Sequence, residues 1–342
     1  MSLAEGALRA VAAQYEPLAG AVADQWDYRK SLRTRDLHQH VKLMSEWEQH
    51  YDQLSRGCFE GQVTEAWVGG IQIFEERISQ AVFQTGSGRS DAIAVGVFSE
   101  LSGEARWQGK ALGLDHVTAI GQGHNLELST PKNFAALCVS VPLSVFAPMD
   151  ENLPEGGLSG ALQGLRSSYV LSPRLAATLR HRLGQALMTM TYQPMQLALI
   201  EARNQLLSEI VGLVDEYVNE ALAVGTETSP AKAVRVVARA RDYIEAHRDS
   251  PITVLDLCKQ TCTSRRTLQY CFEQVIGLSP AAYLKVLRLN GLRRDLILQV
   301  GRTTIGDLAA RWGFWHLSQF SLDYKRLFGE LPSETVRRHS CH

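Results

Sequence analysis

The sequence predicts an α+β protein: a β-barrel with flanking helices, followed by an all-α domain holding two copies of a short helix, a turn and a longer helix. Three observations lead there. From residue 59 to 149 short β-rich runs alternate with Gly and turn residues at the spacing of a barrel or sandwich. After residue 231 apolar residues recur at helical intervals. One block of that helical region is also written twice, 51 to 52 residues apart.

The 342 residues exceed what one core usually holds, about 250 to 300. The expected division is an N-terminal effector-binding or dimerisation domain over 1–222, a linker over 223–231 and a helical domain over 232–342. In chain order, "KLMSEWEQHYDQL" (42–54) has a helical apolar period. The strands are expected in "FEGQVTEAWV", "GIQIFEERI", "AIAVGVFS", "EARWQG", "HVTAIGQG", "NLELST" and "FAALCVSVPL". Two helices follow over 173–222, started at Ser172-Pro173 and Pro194; they could pack on each other, on the barrel or on a second subunit. "AVGTETSPA" collects Gly, Thr, Ser and Pro in one polar stretch and is the linker.

With 45% hydrophobic and 21% charged residues and no apolar run of about 18, a membrane span is excluded. No secretory leader is visible at the N-terminus, so the cytoplasm is the expected compartment. The six cysteines form no C-x-x-C pair, which argues against a zinc ribbon or a disulfide framework. Cys258 and Cys262 are expected as small buried helix-packing residues. The net charge of −1 hides a split: residues 232–342 carry 18 Lys and Arg against 10 Asp and Glu, the rest 17 against 26. A basic C-terminal third suits a polyanion partner.

Within that third, Thr253-x-x-Asp256-Leu257 recurs as Thr304-x-x-Asp307-Leu308, a capping-box-like start each time. Leu268, Phe272, Ile276, Gly277 and Pro280 recur as Phe320, Tyr324, Phe328, Gly329 and Pro332. Each copy has the plan of a helix-turn-helix, whose second helix enters the DNA major groove. "SPAAYLKVLRLNGLRRDLIL" joins them as a helix capped by Ser279 and opened by Pro280. At roughly 1.5 Å per residue it spans about 27 Å, against about 34 Å between successive major-groove faces.

These residues resemble the DNA-binding domain of the AraC/XylS family of transcriptional regulators, over about 100 residues. The marks are Arg288-Leu289, Gly313-Phe314, Tyr324-Lys325 and Gly329 to Pro332; Tyr324, Leu331 and Trp315-His316 depart from the usual pattern. "WGFWHLSQF", "TVLDLCKQTCTSRRTLQ", "WEQHYDQLSRGCFEGQVTE" and "LELSTP" are similar to the ethanolamine-operon activator branch. The resemblance implies a cupin-like N-terminal barrel that binds an effector or dimerises, and an activator responding to a small amine such as ethanolamine.

On the first reading helix Ser264 is the expected N-cap, and Leu268 and Phe272 face inward. Arg265, Arg266, Gln269 and Tyr270 then face out, where Arg suits guanine and Gln adenine. On the second, His316, Ser318, Gln319, Ser321 and Leu322 face out, a charge-poor surface suited to thymine methyls and weak hydrogen bonds. Trp315 is expected to pack on the turn. Lys325, Arg326, Arg293 and Arg294 are phosphate partners or plain surface charge.

The expected partners are double-stranded promoter DNA, RNA polymerase, a small-molecule effector and a second copy of the chain, with no membrane. No catalytic residue, cofactor or metal is assigned. The alternatives are a cupin-type metal-dependent enzyme and a partner scaffold that binds no DNA. "HQH" at 38–40 with Glu46 has metal-ligand spacing, but precedes the first convincing strand. An ammonium effector would suit an aromatic wall with a carboxylate, from Trp67, Phe74, Phe98, Trp107 and one of Glu75 and Glu76.

Overall fold

The computed structural model describes residues 28–122, 124–146, 167–193, 200–224, 232–247, 252–299 and 302–340. The expected linker therefore lies outside the described residues over 225–231, as does the expected helix start at Pro194.

The N-terminal part runs β1 (Arg29–Thr34), α1 (Leu37–His40), β2 (Glu48–Gln53), β3 (Gly61–Val68), β4 (Ile71–Ile78), β5 (Val82–Ser87), β6 (Ala92–Leu101), β7 (Ala105–Trp107), β8 (Lys110–Leu112), β9 (His116–Ile120), β10 (Asn125–Ser129), β11 (Phe134–Pro142) and β12 (Ser167–Leu171). The strands form two antiparallel sheets, ordered β1-β3-β4-β11-β6-β9-β12 and β2-β5-β10-β7-β8. The expected barrel is not closed. After β4 pairs with β3 and β11, the chain turns at Ser79–Ala81 and β5 pairs with β2 and β10 instead, so no ladder joins the two sheets.

Strand alternation separates two cores. In β4, Ile71 and Ile73 face one side, while Phe74 and Ile78 face the space between the sheets; in β6, Ile93, Val95 and Val97 separate in the same way from Ala94. The outer side of the seven-stranded sheet is covered by α2 (Pro173–Tyr192) and α3 (Ile200–Val224). Ser172 caps α2 by accepting from Leu175 N–H, with Pro173 at the first turn. Its buried stripe Leu175, Leu179, Leu183 and Leu187 meets Leu207, Val211 and Val214 of α3, so the pair packs on itself and on the sheet together.

The stretch 42–54 is not the expected helix. Leu43, Trp47 and Tyr51 imitate a helical period, but residues 48–53 pair in register with β5, and Trp47 and Tyr51 enter the core between the sheets. The buried Asp52 and Gln53 of this strand are satisfied by partners more than 200 residues away, a signal no local pattern carries.

The C-terminal part runs α4 (Lys232–Ala246), α5 (Val254–Thr261), α6 (Arg265–Val275), α7 (Pro280–Leu298), α8 (Ile305–Arg311), α9 (Leu317–Phe328) and α10 (Pro332–His339). Its core gathers Leu257, Leu268, Phe272, Tyr283, Leu308, Phe320 and Tyr324, and Phe83 of β5 joins it from the five-stranded sheet. The layers are thus α2/α3, sheet, sheet, helical domain.

Polar contacts fix the last seam. Asn290 of α7 accepts from Gln53 N–H at 2.9 Å and donates to Gln53 C=O at 3.1 Å. The Leu327 carbonyl accepts from Gly57 N–H and Gln53 Nε2. Arg293, 7% exposed, donates to Asp36 (3.0 Å), Glu330 (2.7 Å) and the Tyr324 hydroxyl (3.2 Å). Arg294 reaches His50 at 2.8 Å and Asp52 at 3.2 Å. Arg293 and Arg294, expected as phosphate partners or surface charge, are therefore bonds between the two parts of the chain.

Burial would raise the Asp36 carboxyl, but the Arg293 guanidinium and the Gln39 N–H outweigh it and hold it below its usual range. Burial opposes likewise at Asp52, where His50 and Arg294 prevail. A depressed carboxylate contributes stability that is complete above its unfolded value, about 3.9, and is lost as pH falls through the lower folded value. Between pH 7 and 3, denaturant unfolding should show the advantage of the natural chain over Asp36→Asn shrinking only at the acid end. Arg293→Ala, which takes the shared guanidinium from the buried Asp36 and Glu330 and leaves Glu330 only Arg338, should cost about 3 to 5 kcal/mol in the same measurement at pH 7.

Candidate nucleic-acid interface

Each repeat begins with a capped helix. Thr253 Oγ1 accepts from Asp256 N–H, and Asp256 accepts from Thr253 N–H, a complete capping box. In the second copy Thr304 accepts from Asp307 N–H at 3.1 Å. The turns then differ. Three residues, Cys262 to Ser264, separate α5 from α6, whereas five, Trp312 to His316, separate α8 from α9. Both pass through the left-handed region one offset apart, at Cys262 (φ 52°) and Gly313 (φ 76°). Glycine takes that conformation without a Cβ penalty and cysteine does not. Cys262 is exposed there, not the expected buried packing residue, while Cys258 is half-buried.

The inward stripes hold as expected. Leu268, Cys271, Phe272 and Val275 of α6 are buried, and so are Phe320, Tyr324, Leu327 and Phe328 of α9. The outward faces are left to solvent. Ser264 caps α6, accepting from Thr267 N–H at 3.1 Å. Past it, Arg265, Arg266 and Tyr270 are exposed, and Gln269 is half-buried with its amide donating to Glu273. On α9, His316 sits at the N-cap without a side-chain bond, and Ser318, Gln319, Leu322, Lys325 and Arg326 are exposed, with Ser321 half-buried. Lys325 and Arg326 lie in the last turn of α9, and Arg326 is 3.9 Å from Asp323.

Trp315 does not pack on the turn. It is 74% exposed beside the exposed Leu317, and Phe314 fills the inner position against Phe320 instead. The spacing of Trp315 off the Phe320–Tyr324 stripe was the only hint. Together with Leu322 it makes the second face apolar where the first is cationic.

Both helices pack on α7, Phe272 of α6 against Tyr283 and Asp323 of α9 against Lys285. Ser279 caps α7 by accepting from Ala282 N–H, and its 19 residues at roughly 1.5 Å each span about 28 Å. Lys285 of α7 binds Asp323 of α9 at 2.7 Å, Trp312 Nε1 donates to Asp295 at 2.8 Å, and Gly291 leaves room for the Trp312 ring. The Tyr324 hydroxyl is spent on Arg293 and Thr335.

The "HQH" motif divides. His40 Nε2 bonds Glu76 at 2.9 Å between the sheets, whereas His38 faces α7. Strand alternation also settles which glutamate faces in: Glu76 is buried with Phe74, and Glu75 binds Arg77 at the surface.

A family model described as a helix-turn-helix domain matches residues 257–338. The probable thc operon regulatory protein of Rhodococcus erythropolis is 37% identical over 103 residues, 30% of this chain and 31% of that protein. The XylDLEGF operon transcriptional activator 3 of Pseudomonas putida is 31% identical over 101 residues, 29% of this chain and 30% of that protein. The match thus spans about a third of the length of these relatives. Among solved structures, the AraC-like transcriptional activator CuxR is 22% identical, covering 83% of this chain and all of that one with a TM-score of 0.41. Residues 257–338 thus match a helix-turn-helix domain and lie in the stretch of chain that is similar to these operon regulators.

If Arg266 reads a guanine, Arg266→Ala should cost about 1 to 3 kcal/mol on the preferred duplex and relax specificity at one position. Lys325→Ala should weaken all duplexes alike and lower the salt slope by about one. Fluorescence anisotropy across a salt series separates the two outcomes.

Proposed function

We propose that the chain is a sequence-specific transcriptional activator that binds promoter DNA through α6 and α9 and responds to a small molecule held between its sheets. The observation that carries this reading is that α6 and α9 each bury an apolar stripe in the core around α7 and leave the other face unpacked. Ser264, Arg265, Arg266, Gln269 and Tyr270 form the first reading surface, and His316, Ser318, Gln319, Leu322, Lys325 and Arg326 the second. The arginines and Gln269 serve guanine and adenine edges, Leu322 thymine methyls, and Lys325 and Arg326 the phosphates. RNA polymerase and a second copy of the chain are the protein partners in this reading, and residues 223–231 divide the sensing part from the DNA-binding part.

The effector in this reading is a small amine of the ethanolamine type. What supports it is a cavity of about 50 Å³ between the sheets, walled by Trp47, Phe74, Phe98 and Trp107 with Glu76 in its lining. Glu76 accepts from the Tyr51 hydroxyl at 2.7 Å and from Gln84 at 3.2 Å. Burial, with Glu76 adding to it, pushes the Cys138 thiol in the same wall up to about 12, so it stays neutral. An ammonium beside Glu76 would meet a carboxylate and aromatic faces. The ligand acts only by favouring one arrangement of the seam over another.

The test is a selection of bound genomic fragments with purified chain, with and without ethanolamine and related amines. Recovery of one promoter class, enriched by an amine and no longer enriched by it in Glu76→Gln, is the expected result. Fragments recovered without sequence preference would end the DNA-reading assignment, and amine-independent recovery would end the effector assignment.

A further inference from the structure

A second recess lies where α1 and the start of β2 face α7. It measures about 180 Å³, more than enough for a small polyatomic ion. His38, Lys42, Gln49 and His50 wall it from the sheet side, Arg293 and Arg294 from α7, and no Asp or Glu belongs to its lining. The carboxylates that answer the two arginines, Asp36, Asp52 and Glu330, are set behind the wall. Lys42 is exposed and makes no ion pair among the described residues. One polar atom there is buried with no partner among the described residues: His38 Nε2.

We propose that this recess binds a small oxyanion, a hydroxycarboxylate or a phosphate, that bridges the sheet domain and α7. The anionic oxygens take hydrogen bonds from Lys42, from His38 Nε2–H and from the guanidinium edge of Arg294, charge-assisted contacts of the stronger kind. Unliganded, burial first and Lys42 next hold the His38 imidazole below its ordinary range, with Arg294 and His339 adding to them and Asp36 opposing. An anion in the recess reverses that balance, so binding and His38 protonation are linked. Apart from Gln49, which borders both, this recess and the cavity at Glu76 are walled by different residues, and its test needs no DNA.

The test follows the His38 imidazole by NMR in the full chain, its signal identified by loss in His38→Gln. One arm adds inorganic phosphate and the other lactate, at constant ionic strength made up with chloride. The expected result is a saturable shift in at least one arm, with the His38 titration moved to higher pH. The same anion should bind about tenfold more weakly to Lys42→Ala, about 1.4 kcal/mol, and raise its melting temperature less. The arms distinguish phosphate from carboxylate recognition. No saturable shift in either arm, or equal affinity in Lys42→Ala, would overturn the proposal.

Discussion

A guanidinium taken out of water must find acceptors on every side, and Arg293 finds them on three different pieces of chain. Asp36 comes from the loop before α1, Glu330 from the turn after α9, and the Tyr324 hydroxyl from α9 itself. The Phe328 ring lies 4.8 Å from the guanidinium and closes the remaining face. Removing a charge this size from water costs several kcal/mol unless such partners are in place. The second helix-turn-helix, α7 and the sheet domain are therefore positioned by one another. Asn290, three residues earlier and so one turn away on the same helix, adds a two-way backbone bond that only a strand at the position of β2 can accept.

That docking governs what the helices can offer to DNA. The inner faces of α6 and α9 are consumed by one continuous core, which reaches Phe83 of β5. What is left outside is set by which residues fall off the stripe. On α6 these are arginines, glutamine and tyrosine; on α9 and the two residues before it they are a tryptophan, a histidine, leucines and small polar groups, with Lys325 and Arg326 confined to the last turn. The division between a cationic and an apolar face thus follows from helix periodicity.

Much of the C-terminal part was legible because its determinants are local. Caps at Thr253, Ser264, Ser279 and Thr304, and apolar residues at i and i+4, specify each helix within a few positions. The N-terminal part was legible only where strands bury alternate apolar residues, as in β3, β4, β6 and β11. β1, β2, β5 and β12 escaped because they are short or polar: "RKSLRT", "EQHYDQ", "VFQTGS" and "SSYVL" hold few alternating apolar residues. The roles of Arg293 and Arg294 were illegible for a related reason. Their partners lie some 240 to 260 residues away for Asp36, His50 and Asp52, and basic residues in a basic domain read as surface. Trp315 was misplaced because bulky aromatics are usually buried, a tendency with exceptions at functional surfaces.

The anchor at Leu327 has a property of its own. Gly57 and Gln53 grasp its main-chain carbonyl, and Ser129 grasps that of Ile276 in the other repeat. Main-chain oxygens are the same whatever side chain the residue carries, so those grips survive substitution at 276 and 327. The outer surfaces of α6 and α9 can therefore change residue by residue while the sheet part keeps its hold on both repeats through atoms that no substitution removes.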